Sequence, residues 1–294
     1  MSAYDPKQTC NPIPLEANPC CNQPFLRVLS LGESDASRAR LVMGALIDNP
    51  FAVFAIAVIA QWASAFFGDA LRRSRPLKNN ERNDFDTVLT ATLTLLALII
   101  GFSFSMAVTR YDQRKNYEAA EANAIGTAYL RADLLPADTA ASVRRFLKLY
   151  VQQRVNFFNS NGLPHQEMAP DPAKLQDELW SSVVGAAGAQ PNPVLALTVS
   201  GMNDVFNSQA DTMAAWLNRI PTGAWVLMLL IAMFSNLLLG YRERSSGRLA
   251  LLVLPVIASI AFFLIADIDS PYVGVISVVP HNLIATSEAM RSHH

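Results

Sequence analysis

The sequence predicts an all-α membrane protein in which four transmembrane helices form two hairpins, with a helical extramembrane region between them. Three observations carry that expectation. Four almost uncharged apolar segments, 50–71, 87–108, 221–240 and 249–265, approach or reach the roughly 20 residues a helix needs to cross the hydrocarbon core. Only 16% of the 294 residues are charged and the mean hydropathy is +0.23, so charge is concentrated between those segments. The segments also pair: a basic stretch with Arg72, Arg73, Arg75, Lys78 and Arg82 joins the first two, and another with Arg242, Arg244 and Arg248 joins the last two.

Taken in order, residues 1–47 read as a weakly ordered tail whose last part, from Asp35 to Ile47, has mild helical periodicity. No apolar run in this tail precedes a small-residue cleavage site, so the first spanning helix is expected to direct insertion itself. Cys10, Cys20 and Cys21 all lie here. Three thiols without metal-type spacing predict neither a disulfide framework nor a zinc site. Asp48, Asn49 and Pro50 make a helix start, and residues 48–108 form the first transmembrane hairpin. Counting basic residues in short loops puts the two hairpin loops on the cytoplasmic side, but Arg38, Arg40, Arg110, Arg114, Lys115 and Arg219 flank the opposite helix ends and leave the bias small.

Residues 109–220 are expected to be a helical extramembrane region. No Gly or Pro interrupts the second spanning helix until Gly126, so a long helix leaves the membrane, with Arg114 and Glu118, and Tyr117 and Glu121, at i,i+4 spacing. Farther on, Val143, Phe146, Leu147, Tyr150 and Val151 share one apolar face, while Arg144, Arg145, Lys148 and Arg154 lie largely off it. That face suits a partner helix or a headgroup layer. Segments around Leu175–Val184 and around Met202, Val205, Phe206, Met213, Trp216 and Leu217 read as further amphipathic helices. The second transmembrane hairpin is assigned to 221–267 and a C-terminal segment to 268–294. Within the spans, Gln61, Ser235 and Asn236 suit interhelical hydrogen bonding, and Pro255 predicts a kink.

At 100° per residue the second spanning helix gathers Thr87, Ala91, Thr94, Leu98, Gly101, Ser105 and Thr109 on one face, with Phe102 at its edge. Beyond the span the stripe continues through Asp112, Asn116, Ala119, Asn123 and Thr127, while Arg110 and Arg114 project from the other side. Opposite the stripe, Val88, Leu89, Leu96, Ile99, Ile100 and Met106 form a surface suited to lipid. Small and hydroxyl residues let a neighbouring helix approach closely; they equally line an aqueous path in which Leu98 and Phe102 make an apolar constriction.

The same helix carries words of a known family. Gly101-Phe102, then Val108-Thr109-Arg110-Tyr111 and Asn116-Tyr117-Glu118, resemble the pore-lining helix of bestrophin channels. Gly-Phe-Ser-Phe-Ser-Met at 101–106, Glu-Ala-Asn-Ala-Ile-Gly-Thr-Ala-Tyr-Leu-Arg-Ala-Asp-Leu-Leu-Pro at 121–136 and Asp-Ile-Asp-Ser-Pro at 267–271 resemble more closely the bestrophin-like domain family of bacterial membrane proteins, over roughly residues 45–285. The resemblance implies a homo-oligomer, a pentamer in bestrophins, in the bacterial inner membrane, with the second helices around a central pore. It implies a neck at Thr94, Leu98 and Phe102, and a lining that includes Thr87, Gly101, Ser105, Thr109, Asp112 and Asn116. Thr94 departs from the pattern, standing where the family has a bulky apolar residue. Calcium-gated bestrophins carry a dense acidic cluster after the fourth helix. Here Asp267 and Asp269 are followed by Ser-Pro-Tyr-Val-Gly, so these two carboxylates are expected to anchor the helix end rather than to bind calcium.

The leading expectation is therefore an ion channel whose partners are the bilayer, further copies of the chain and a permeant inorganic ion. The resemblance implies anions such as chloride, and an anion-permeable channel is the expectation, although a ring of Asp112 would favour cations. The alternatives are a non-conducting membrane-anchored interaction or sensory module and, third, a small-solute carrier, for which the hairpins lack an internal repeat. A net charge of −1 gives no footprint for nucleic acid. His165, His281, His293 and His294 form no constellation, and no phosphate loop, nucleophile elbow or metal-ligand spacing appears, so neither an enzyme nor a cofactor is expected.

Overall fold

The computed structural model describes residues 49–74, 82–160, 172–189, 192–242, 248–271 and 273–292. The tail with Cys10, Cys20 and Cys21, the loop residues Arg75, Lys78, Arg244 and His165, and the terminal His293 and His294 lie outside the described residues. The described elements are α1 (Pro50–Ser74), α2 (Arg82–Arg131), a 3₁₀ turn (Ala132–Leu134), α3 (Ala137–Asn159), α4 (Pro172–Ala189), α5 (Pro193–Leu217), α6 (Thr222–Arg242), α7 (Arg248–Asp269) and α8 (His281–Ser292). Four of these, α1, α2, α6 and α7, provide segments long and apolar enough to cross a bilayer.

Helix α1 starts as expected. Pro50 needs no donated hydrogen bond in the first turn, and the Asn49 side chain accepts from the backbone N–H groups of Phe51 and Ala52 at 3.1 and 3.3 Å. The two transmembrane hairpins interlock, with both α1 and α2 packing along α6 and α7. At the α1–α6 crossing the backbones are in contact: a Cβ on Gly68 would fall on the Leu237 carbonyl oxygen, and one on Gly240 on that of Ala65. Gln61 and Asn236 are fully buried in this layer, where Asn236 donates to the Gln61 amide oxygen at 3.0 Å and Gln61 donates to Ser259 at 3.1 Å. These polar side chains join three helices. Helix α7 passes through Pro255 as one helix of 22 residues.

Helix α2 is the axis of the fold. At 1.5 Å per residue its 50 residues span about 75 Å, more than twice the hydrocarbon thickness. Its first half buries Leu96 and Ala107 among Met228, Ala232, Phe262 and Ile265. Its second half buries Ala122, Ile125, Ala128 and Tyr129 in a separate extramembrane core with residues of α3, α4, α5 and α8. Three expectations are corrected here. The face of α2 assigned to lipid instead faces the bundle: Leu89 and Leu96 are buried and Ile99 and Ile100 pack against the core, leaving only Val88 and Met106 of that set exposed. Arg154, placed off the apolar face of α3, is buried with it, because Glu121 of α2 receives its guanidinium. Met213 and Leu217 of α5 are exposed, while Trp216 packs against the rings of Phe157 and Phe158.

Candidate functional site

Every residue of the α2 stripe within the span is exposed on the protomer: Thr87, Ala91, Thr94, Leu98, Gly101, Ser105 and Thr109, with Phe102 beside them. Beyond the span, Asp112, Asn116, Asn123 and Thr127 are exposed and Ala119 is half-buried. The structure therefore leaves the candidate neck and lining residues, from Thr87 to Asn116, exposed along one side of the helix. Leu98 at 52% and Phe102 at 63% exposure are its bulky apolar side chains inside the span.

Comparison with the other spanning helices gives this face its meaning. Outward positions of α1, α6 and α7 carry bulky apolar groups such as Ile59, Phe66, Leu230, Phe234, Ile257 and Ile260. Their mid-span polar side chains, Gln61, Ser64, Ser235, Asn236 and Ser259, are all buried. Helix α2 differs on one face: it buries Leu89, Leu96 and Ser103 and still exposes Leu95 and Phe104, but it turns the hydroxyls of Thr87, Thr94, Ser105 and Thr109 outward. Polar groups facing lipid are unfavourable, so a surface built this way belongs against another protein surface or against water.

The hydroxyls are locally satisfied. Thr87, Thr94 and Thr109 each donate to the carbonyl oxygen four residues back, at 2.9, 2.8 and 2.9 Å. A carbonyl can only accept, so these protons point at the backbone and the oxygen lone pairs point outward. The face thus presents acceptors, and Asp112 adds a carboxylate one turn beyond Thr109.

The opposite, inward side of α2 carries charge in a different arrangement. Arg114 donates to the carbonyl oxygens of Ile268 and Asp269 at the C-terminus of α7, at 3.3 and 2.8 Å, where a cation also meets the negative end of the helix dipole. Glu118 accepts from the Leu283 backbone N–H and the Asn282 side chain at the N-terminus of α8, at 2.8 and 2.6 Å. Glu121 accepts from Arg154 of α3 and from Thr212 of α5. Arg110 approaches Asp269 at 3.4 Å, and that carboxylate also accepts from the Ile220 backbone N–H just ahead of α6. Positions 110, 114, 118 and 121 follow the helical repeat, so this bolting row was visible in the sequence as charges on one face. Their distant partners were not. Asp267 anchors the chain after α7, accepting from the N–H groups of Val275 and Ile276 at 2.7 and 3.0 Å. Among the described residues, no group of three or more His, Cys, Asp or Glu side chains is placed to hold a metal ion.

A family model described as the Bestrophin-like domain matches residues 51–283. Among curated protein sequences, none matches the chain. Solved structures of a bacterial bestrophin homologue from Klebsiella pneumoniae share the fold. One single-residue variant aligns with a TM-score of 0.58 at 11% identity over 83% of this chain and 99% of that one. A second gives 0.56 at 11% identity over 81% and 93%. A structure of the homologue phased on zinc gives 0.54 at 12% identity over 80% and 97%.

Proposed function

The chain belongs to the bestrophin-like domain family and is an integral membrane protein, and from that premise we propose that it forms an oligomeric ion channel lined by α2. The single observation that carries the proposal is the outward turn of the α2 hydroxyls: Thr87, Thr94, Ser105 and Thr109 are exposed and only Ser103 of the span's serines is buried, whereas the mid-span serine and amide side chains of the other three spanning helices are all buried. Cyclic assembly places copies of one face around a common axis, which removes that face from lipid and encloses a lumen. Five copies is the number the family resemblance supplies.

In this arrangement Thr94, Leu98 and Phe102 form the neck, with Thr87, Gly101, Ser105, Thr109, Asp112 and Asn116 lining the path on either side. Leu98 and Phe102 form an apolar ring that water leaves readily, so the neck restricts ion passage without a charged gate. Thr94 makes the start of the neck wetter than three bulky residues would. Family resemblance favours anions, but the residues of the lining favour cations. The threonine lone pairs face outward, Asp112 is exposed on the path, and Arg110 and Arg114 are bound on the far side of the helix. We therefore assign cation preference.

Planar-bilayer recording of purified protein under asymmetric salt tests both levels. Discrete conductance is expected, with a reversal potential on the cation side and with larger or less strongly gated currents in Leu98→Ala and Phe102→Ala. Silence of all three proteins, from folded oligomers, would overturn the channel assignment and leave an interaction module. A reversal potential on the anion side would overturn the sign alone.

A further inference from the structure

We infer that Asp269, which does not belong to the α2 stripe, determines the channel's ion selectivity by neutralising Arg110 and holding it against the bundle. This inference rests on the channel reading above. Arg110 follows Thr109 and precedes Asp112 by two positions, so a positive charge stands within one helical turn of the carboxylate on the stripe. Left unpaired, that guanidinium would oppose the field of Asp112 at the exit from the membrane. Instead it is directed inward to a carboxylate that is 1% exposed.

The surroundings of Asp269 indicate that its charge is placed there deliberately by the fold. Both of its oxygens lie within 3.3 Å of the Ile220 N–H, at the start of the segment entering α6, where a negative charge also meets the positive end of the helix dipole. Arg219 approaches it at 3.8 Å. Nearby, Arg114 is spent on the carbonyl oxygens of Ile268 and Asp269, while Asp267 and Glu118 are spent on backbone N–H groups of Val275, Ile276 and Leu283. Three arginines and three carboxylates therefore balance at this junction. Removing one charge leaves a net unit charge close behind the lumen wall. At about 10 Å and an effective dielectric near 20, a unit charge alters the permeability of a single passing ion roughly tenfold, and salt screening reduces this to a few-fold.

Electrostatic control and mere helix anchoring make opposite predictions, because Asp269→Asn and Arg110→Gln break the same contact while shifting the local charge in opposite directions. The experiment is reversal potential in a potassium chloride gradient for wild type, the two single variants and the double variant. Asp269→Asn is expected to lower the cation-to-anion permeability ratio about threefold or more, Arg110→Gln to raise it, and the double variant to return it near wild type. Arg110→Lys keeps the charge and should leave the ratio unchanged. Shifts of the same sign in both single variants, or an unchanged ratio in Asp269→Asn, would overturn the inference. If Asp269→Asn does not assemble, Arg110→Gln decides by itself: a ratio that stays level or falls is equally fatal. Absence of current from wild type would instead overturn the channel reading on which the inference rests.

Discussion

Residue by residue, the extramembrane region is held by buried polar groups that a face diagram of any one helix misplaces. Arg154 is 4% exposed, stacks its guanidinium over the ring of Phe157 at 4.5 Å, and meets a Glu121 carboxylate that also accepts from Thr212 at 2.8 Å. An arginine on the edge of an apolar stripe reads as solvated unless its partner is known, and here the partner lies 33 positions earlier on another helix. Tyr150 lies in the same network, donating to the Gln209 amide oxygen at 2.5 Å, and burial, with the nearby Glu121 charge, raises its pKa well above the usual tyrosine value. A raised value means that the folded state resists ionisation. The stability this lends is complete below the unfolded pKa of about 10 and is lost as the pH climbs from there towards the folded value. Tyr150→Phe should therefore cost about 1 kcal/mol at neutral pH through the lost hydrogen bond, yet fall less steeply than wild type between about pH 9 and pH 11. Thermal unfolding of the detergent-solubilised protein across that range measures both effects, and parallel curves would show that Tyr150 is not the titrating group.

Helices were the most legible level in the sequence, because spans announce themselves by length and lack of charge. The continuation of α2 out of the membrane followed from the absence of Gly and Pro over its exit, and the helix indeed runs past Gly126 to Arg131. Which face of α2 turns inward was not legible. An apolar face suits lipid and a helical bundle equally well, and only the packing on α6 and α7 decides it. Glycines show the same division between pattern and context. Gly68 and Gly240 bring α1 and α6 into backbone contact, whereas a Cβ on Gly101 meets nothing within 4 Å in the protomer. Gly68→Ala should force the α1–α6 crossing apart and cost about 1–3 kcal/mol, as overpacking of a tight contact does. Gly101→Ala should leave the protomer as stable as before or gain up to about 1 kcal/mol from helix propensity. Unfolding midpoints in detergent compare the two directly. A loss in Gly101→Ala equal to that in Gly68→Ala would mean that the stripe is closely packed.

At the scale of the whole molecule, the stripe predicts a pattern of water access that neither a packed interface nor a lipid-facing surface shares. An aqueous path interrupted by an apolar neck has two wet ends, each open to one side of the membrane. Buried positions on the same helix have neither. With Cys10, Cys20 and Cys21 replaced by serine, single cysteines at Ala91, Ser105, Thr109 and Asn116 should react with a charged, membrane-impermeant thiol reagent, Ala91 from one side only and the other three from the opposite side only. Cysteines at Leu96 and Ala107, which are 4% and 0% exposed in the protomer, should stay unreactive from both sides. The test also separates the roles of the neck residues, since Phe102→Ala in the Ser105→Cys background should admit the reagent from the side that wild type closes. Labelling of Ala91→Cys and Ser105→Cys from the same side would remove the barrier from Leu98 and Phe102. If the four stripe positions were as silent as Leu96→Cys in assembled protein, the hydroxyl face would be a helix contact, and α2 would hold copies of the chain together without enclosing a path between them.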